Sequence, residues 1–139
     1  MIIKPQPPTK PRYIAYLASS VDGKISLTSQ HPPDWTSPED WRFFQQALKS
    51  VDAVVVGRHT YQAVADRLRQ RNTFVLSSRP KTIKRLGTVT FVNPANVDLA
   101  KLLHGYKIVA VLGGGAVYQF MLANNLLDEI FQKSSRRLR

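Results

Sequence analysis

The sequence predicts a single α/β domain in which helices cover both faces of a mostly parallel sheet. Three observations lead to this prediction. Short apolar segments rich in β-branched residues alternate with segments of helical spacing, which is typical of parallel strands joined by crossover helices. The chain has 139 residues, a length that suits one domain. Its residues are 43% hydrophobic, which is enough apolar material for a core of that size.

Six segments are short and apolar, and we predict that they form strands of this sheet. In chain order they are Tyr13–Ala18, Asp52–Val56, Thr73–Ser77, Val89–Val92, Lys107–Leu112 and a strand that begins at Asp128–Phe131. Four segments between them are predicted to be helical. They are a helix that opens at Ser37–Asp40 and continues through Leu48, one from Gly57 to about Leu68, one around Val97–Leu103 and one from about Ala116 to Asn124. Ser37 is a natural N-cap, and Pro38 suits the first helical position.

This domain is predicted to span residues 13–131. Before it, residues 1–12 are rich in Pro and Lys and are predicted to form an extended arm. After it, residues 132–139 are predicted to form a basic tail.

Composition excludes several kinds of site. The chain has no cysteine, which excludes disulfides, thiolate metal sites and cysteine nucleophiles. No apolar run approaches the ~20 residues that cross a bilayer, and no signal-peptide core is present, so we expect a cytoplasmic protein that does not bind membranes. The three histidines lack metal-ligand spacing, so no metal site is predicted; they are His31, His59 and His104.

The charge balance favours anionic ligands. Lys and Arg number 20 against 9 Asp and Glu, for a net charge of +11, and such an excess attracts phosphates and polyanions. From Arg67 to Arg85 the chain holds basic residues and no acidic one. Net charge is the only feature that favours nucleic acid, and without a recognised motif we expect no specific nucleic-acid partner.

Two junctions between a strand and a helix are candidate phosphate sites. The first contains Gly57, Arg58 and Thr60, and the second contains Gly113, Gly114, Gly115 and Ala116. Glycine lets a phosphate approach the backbone closely, and a helix N-terminus adds free N–H groups. Glycines that only permit tight turns are the alternative, but two such junctions beside an acid-free basic stretch favour phosphate binding. Neither junction matches the Rossmann or P-loop fingerprint.

Ser77, Ser78 and Arg79 should emerge at the carboxyl end of a predicted strand, where ligands bind in open parallel sheets. Two hydroxyls and a guanidinium suit an anionic group such as a ribose 2′-phosphate, and a solvated loop is the alternative.

Asp40 is a candidate proton donor. At 3.6 residues per turn it shares a helix face with Phe44 and Ala47, so it should point inward. Burial against aromatic rings raises the pKa of a carboxyl, which suits proton donation. The alternative, equally supported by the spacing, is that Asp40 completes a capping arrangement behind Ser37.

Four motifs together resemble dihydrofolate reductase, in that family's order and at about its spacing. They are Trp35-x-x-Pro38-x-Asp40-x-x-x-Phe44, Val56–Tyr61, Leu76–Arg79 and Gly113–Tyr118. Ser19–Ile25 and Val51–Gly57 look more like a sister family, the reductase domain of the bifunctional riboflavin-biosynthesis deaminase-reductase, which shares the fold and the use of NADPH. The resemblance runs from about Tyr13 to Ile130 and implies the three-layer dihydrofolate reductase-like fold.

The resemblance also implies roles for individual residues. Gly57, Arg58 and Thr60 would hold phosphates of NADPH, whereas Ser77, Ser78 and Arg79 would meet its adenosine end. Gly113, Gly114, Gly115 and Ala116 would cradle the pyrophosphate, with Tyr118 nearby. Asp40 matches the pterin-binding acid of dihydrofolate reductase, and Asp22 matches the substrate-side aspartate of the riboflavin-pathway enzymes. Ser20 and Trp35 are expected on the substrate side.

The implied function is an NADPH-dependent reductase of the 5-amino-6-(5-phosphoribosylamino)uracil type, in riboflavin biosynthesis, with a small heterocyclic substrate. The alternatives are dihydrofolate reduction, or a truncated, inactive remnant that at most binds nucleotide. In both families the strand at Asp128 lies beside the first strand and further strands follow, including an antiparallel pair. This chain instead ends at Arg139, so the resemblance implies a C-terminally truncated sheet whose free edge favours a homodimer.

Overall fold

A seven-stranded sheet forms the centre of the structure, a computed structural model that describes residues 11–19, 42, 45–68 and 70–134. The strands are β1 Arg12–Ser19, β2 Ala53–Gly57, β3 Thr73–Leu76, β4 Ile83–Leu86, β5 Val89–Val92, β6 Ile108–Val111 and β7 Glu129–Ser134. Their order is β4-β5-β3-β2-β6-β1-β7. Every neighbouring pair is parallel except β4 and β5, which are antiparallel. The predicted α/β fold with a mostly parallel sheet is confirmed.

Helices lie against this sheet. They are α1 Arg58–Val64, which continues as a 3₁₀ turn over Ala65–Leu68, α2 Leu99–Leu102 and α3 Gly115–Ala123. Residue 42 and residues 45–48 are also helical and lie in the segment where the sequence predicts a helix, whereas residues 37–41, 43 and 44 of that segment lie outside the described residues. Within the described ranges no helix is long and apolar enough to cross a membrane.

The central strands are buried on both faces because alternate residues enter two separate hydrophobic clusters. Val55 packs in a cluster with residues of α2 and α3. Val54 and Val56 pack in the other cluster, with Leu48 and residues of α1. All three valines are fully buried, and burying one valine side chain contributes roughly 1.5–3 kcal/mol. This two-sided burial explains why the strand is continuously apolar and does not alternate with polar residues.

Strand β4 was not predicted from the sequence. All four of its residues are exposed, so the apolar signal of a buried strand is absent. It is instead an edge strand that pairs with β5 through a two-residue loop, Gly87 and Thr88. Gly87 has φ +62°, which suits the primed turns that join antiparallel strands.

Strand β7 lies beside β1 in parallel register, from Ile14 opposite Glu129 to Ser19 opposite Ser134. The predicted neighbourhood of these two strands is confirmed. The carboxylate of Asp128 accepts a 2.9 Å hydrogen bond from the Tyr13 N–H and so ties the start of β7 to β1. The strand extends three residues past position 131, into the segment expected to be tail, because ladder hydrogen bonds use backbone groups and do not require apolar side chains.

Candidate functional site

The carboxyl ends of neighbouring parallel strands meet at one rim of the sheet. In the parallel register, Gly57 of β2 is paired with Leu76 of β3, and Leu76 is paired with Val92 of β5. The residues that follow these three positions therefore leave the sheet side by side, on the rim where α/β proteins bind ligands.

The two glycine junctions are in direct contact at this rim. The Gly57 N–H donates a 2.7 Å hydrogen bond to the Gly113 carbonyl. A Cβ on Gly57 would lie 3.0 Å from Cγ2 of Val117 and 3.4 Å from the Gly114 nitrogen, so a larger residue would push the junctions apart. The structure thus brings together the two junctions that the sequence predicts to be phosphate sites.

Gly113 has a backbone conformation that only glycine adopts readily. Its φ is +104°, and its peptide bond to Gly114 is cis. A Cβ at this position would lie 3.0 Å from the Tyr118 ring. Tyr118 is itself buried, and its hydroxyl donates a 3.1 Å hydrogen bond to the Tyr16 carbonyl of β1. Burial raises the pKa of Tyr118, so the phenol stays protonated and supports the turn from beneath.

A groove of about 440 Å³ opens above the two junctions, and we name it the first groove. Most of the cofactor-binding residues suggested by the resemblance line it, namely Gly57, Arg58, Thr60, Ser77, Ser78, Gly114 and Ala116. None of the described lining residues is acidic. A cationic side chain, hydroxyls and the first turn of α3 therefore face one cavity, a donor set that favours phosphate groups.

Four other suggested residues lie beside this cavity and do not line it. Gly113, Gly115 and Tyr118 are buried within or below the second junction. Arg79 lines a neighbouring groove, and its N–H donates a 3.1 Å hydrogen bond to the Ser77 hydroxyl oxygen in the turn after β3.

Sequence reasoning missed Asn93, Pro94 and Ala95, which also line the first groove. They follow β5 just as Ser77 follows β3, so the same strand-end rule could have found them. The Asn93 side-chain amide donates a 3.0 Å hydrogen bond to the Pro80 carbonyl and accepts one of 3.0 Å from the Ala95 N–H. Asn93 thereby ties together two loops of the rim.

His59, one of the three histidines without metal-ligand spacing, also lines the first groove, where its Nε2 lies 3.3 Å from the Arg58 guanidinium. The predicted substrate-side residues Ser20, Asp22, Trp35 and Asp40 lie outside the described residues.

The family model for dihydrofolate reductase matches residues 15–131 of this chain. The chain belongs to the dihydrofolate reductase family. Two solved structures share its fold. One is dihydrofolate reductase from Enterococcus faecalis complexed with NADP(H) and RAB-propyl, at 21% identity and TM-score 0.65, covering 93% of this chain and 73% of that one. The other is a Shewanella sp. PV-4 protein named for riboflavin biosynthesis, at 24% identity and TM-score 0.64, covering 91% and 78%.

Proposed function

We propose that this member of the dihydrofolate reductase family is an NADPH-dependent reductase of the riboflavin-pathway type. The observation that carries the cofactor proposal is the 2.7 Å hydrogen bond from Gly57 to Gly113, because it sets both glycine junctions on one groove. The Enterococcus enzyme of the same fold was solved with NADP(H), which supports the same class of cofactor.

The residues of the first groove fit a dinucleotide with several phosphates. Helix α3 begins at Gly115, and its first hydrogen bonds are donated by Val117 and Tyr118 to the Gly114 carbonyl. The N–H groups of Gly115 and Ala116 precede these bonds, so they can bind the pyrophosphate. Arg58 and the exposed Ser78 can hold a further phosphate at the adenosine end. With no described carboxylate on the lining, these donors are free of a competing negative charge.

The bound cofactor would supply the hydride, and the protein would orient it and supply a proton. Leu76, Val117 and Phe120 form an apolar wall of the groove, which suits the flat face of an aromatic ring of the cofactor. Asp22 and Asp40 are our candidates for the substrate-side acids, with Ser20 and Trp35 beside the substrate.

The substrate proposal is 5-amino-6-(5-phosphoribosylamino)uracil. It is supported by the segments Ser19–Ile25 and Val51–Gly57, which look like the riboflavin-pathway reductases, and by the Shewanella protein of the same fold. Dihydrofolate is the second candidate, because Asp40 stands four residues before Phe44 as in the pterin-binding motif. A cytoplasmic location and a homodimer belong to the same proposal, and sedimentation equilibrium tests the homodimer.

Titration with NADPH tests the cofactor proposal. We expect the melting temperature to rise and the cofactor fluorescence to change as the first groove fills. The variant Arg58→Gln should bind NADPH about ten-fold more weakly, since one charge-assisted hydrogen bond is lost. Arg85→Gln removes an exposed charge that does not line the groove, and it should bind as the wild type does. No response to millimolar NADPH would overturn the proposal.

Turnover assays separate the two substrates. With NADPH present, we expect oxidation of the cofactor on adding the ribosylaminopyrimidine phosphate and little on adding dihydrofolate. Asp22→Asn should abolish the first activity, and Asp40→Asn should abolish the second if dihydrofolate is the substrate. NADPH binding without turnover of either compound would favour the inactive remnant.

A further inference from the structure

Strand β4 forms one edge of the sheet, and only one of its sides is paired. Among the described strands its neighbour is β5 alone. All four residues of β4, Ile83–Leu86, are exposed. Nothing in the proposed reductase reaction uses this edge, because Ile83 and Arg85 line neither the first groove nor the groove beside Arg79. A sheet edge with free backbone groups can accept a further strand.

Alternation along the ladder decides which backbone groups of β4 face outward. The Asn93 N–H donates a 2.8 Å hydrogen bond to the Thr82 carbonyl, so these two residues form a hydrogen-bonded pair. Hydrogen-bonded and non-hydrogen-bonded pairs alternate in an antiparallel ladder. Lys84 therefore bonds to β5, whereas the N–H and C=O groups of Ile83 and Arg85 point away from β5. None of these four outward groups has a hydrogen-bond partner among the residues that the structure describes.

The side chains of β4 alternate as well, and they present one cation on each face of the strand. Ile83 and Arg85 project from one face, whereas Lys84 and Leu86 project from the other. The two apolar side chains are exposed, Ile83 to 41% and Leu86 to 56%. The order along the strand is apolar, basic, basic, apolar. A complementary partner strand therefore has the order apolar, acidic, acidic, apolar.

The hairpin has no carboxylate of its own to neutralise these cations. The sequence contains no acidic residue between Asp66 and Asp98. Neither Lys84 nor Arg85 forms an ion pair with a described carboxylate. An extended segment that contains Asp or Glu would place an opposite charge across from each cation, and such cross-strand pairs are favourable. Charge complementarity thus selects an acidic partner.

The same charges disfavour a second copy of this chain as the occupant of the edge. Across a new ladder, outward groups of one strand must meet outward groups of the other. In the antiparallel register that uses Ile83 and Arg85 of both copies, Lys84 of one copy would lie opposite Lys84 of the other. Like charges directly opposite each other destabilise a strand pair, and lysine on an edge strand opposes edge-to-edge pairing.

We propose that β4 binds an extended acidic segment of a partner protein as an added strand of the sheet. The backbone of that segment bonds to the outward groups of Ile83 and Arg85. Its two central carboxylates face Lys84 and Arg85, and its apolar residues cover Ile83 and Leu86. In such strand addition, main-chain hydrogen bonds provide affinity and side chains provide specificity.

Fluorescence anisotropy of a dye-labelled peptide with the core Val-Glu-Asp-Val tests the proposal in the full chain. The double variant K84Q/R85Q should bind this peptide about ten-fold more weakly than the wild type, because two opposite-charge pairs are lost. The matched control K49Q/K101Q removes the same charge at exposed residues outside the hairpin, and it should bind as the wild type does. Equal weakening in both double variants, or absence of binding at millimolar peptide, would overturn the proposal.

A pair of variants at position 83 tests the backbone contribution at constant charge. Proline at this position removes an outward N–H and no bond to β5, and edge strands accept proline at such places. Ile83→Ala removes the same apolar side chain and keeps the N–H. We expect Ile83→Pro to bind the peptide about ten-fold more weakly than Ile83→Ala, with similar melting temperatures. Equal affinities in these two variants would refute strand pairing.

Two N-methylated peptides make the test independent of how the variants fold. Each carries methyl groups on alternate backbone nitrogens of the core, and only one of the two sets faces β4. With the wild-type chain, we expect one peptide to lose binding and the other to keep it. The same result for both peptides would mean attraction between charges without strand pairing and would overturn the proposal. A single-stranded oligonucleotide that binds far more tightly than the peptide would also overturn it, since the basic edge would then serve a nucleic acid.

Discussion

Replacing Gly113 with alanine tests the turn on which the first groove depends. Gly113 has φ +104°, a conformation that residues with a Cβ rarely adopt. The new Cβ would also lie 3.0 Å from both Cε2 and the hydroxyl oxygen of Tyr118, and 3.1 Å from its Cζ. Tyr118 has little room to move, because its side chain is only 5% exposed and its hydroxyl donates a hydrogen bond to the Tyr16 carbonyl.

Two costs add in this variant. Backbone strain at such a φ is of the order of 1–3 kcal/mol. Forcing an extra methyl group against a packed ring costs about 1–3 kcal/mol more. We therefore expect Gly113→Ala to lower the free energy of unfolding by about 2–6 kcal/mol, a large share of the 5–15 kcal/mol typical of a domain. Urea denaturation followed by circular dichroism measures this loss.

Gly105→Ala is the matched control for the backbone term. Gly105 has φ +108°, but a Cβ there would meet nothing within 4 Å. It should therefore cost only the strain, about 1–3 kcal/mol. The excess loss in Gly113→Ala reports the contact with Tyr118. If Gly113→Ala destabilises the chain no more than Gly105→Ala does, the argument for close packing at this turn is refuted.

Three further predictions concern the framework of the site. Stability should fall as the pH rises above about 10, the pKa of an unfolded tyrosine, because the folded chain holds the phenol protons of Tyr118 and Tyr13 more tightly. Burial raises the pKa of Tyr118, whereas burial together with nearby Asp128 raises the pKa of Tyr13 to about 12. Tyr118→Phe should make this fall shallower in denaturation measured at several pH values. Asp52→Ala should cost about 1–3 kcal/mol in urea denaturation, since the Asp52 carboxylate accepts a 2.7 Å hydrogen bond from the Lys107 N–H. Asn93→Ala should weaken NADPH binding in fluorescence titration and lower the melting temperature only slightly, because the substitution frees the loop at Pro80.

Buried strands could be predicted from the sequence, and exposed ones could not. The β-branched run at Val54–Val56 is buried on both faces, and burial is the property that its composition reports. Strand β4 contains Lys84 and Arg85 and has no buried residue. Its pairing depends on the turn at Gly87 and on backbone groups of β5, which hydrophobicity does not report.

The location of the candidate site was predictable for a related reason. Parallel strands place their carboxyl ends on one rim, so chain order alone indicated that Gly57 and Ser77 lie near each other. The position of Arg79 could not be predicted in the same way, because it follows a turn that is closed locally, by a hydrogen bond from its own N–H to the Ser77 hydroxyl oxygen. Where a side chain leaves a loop is a property of the loop's bonds and not of strand order.

The first groove and the neighbouring groove that Arg79 lines are formed by different parts of the sheet. The first groove lies at the ends of parallel strands, where glycines and the start of α3 line it. The neighbouring groove lies on a sheet face at the antiparallel edge, where side chains of β4 and β5 supply charge and apolar surface. A substitution on β4 such as Lys84→Gln should therefore change the neighbouring groove without moving the glycine junctions.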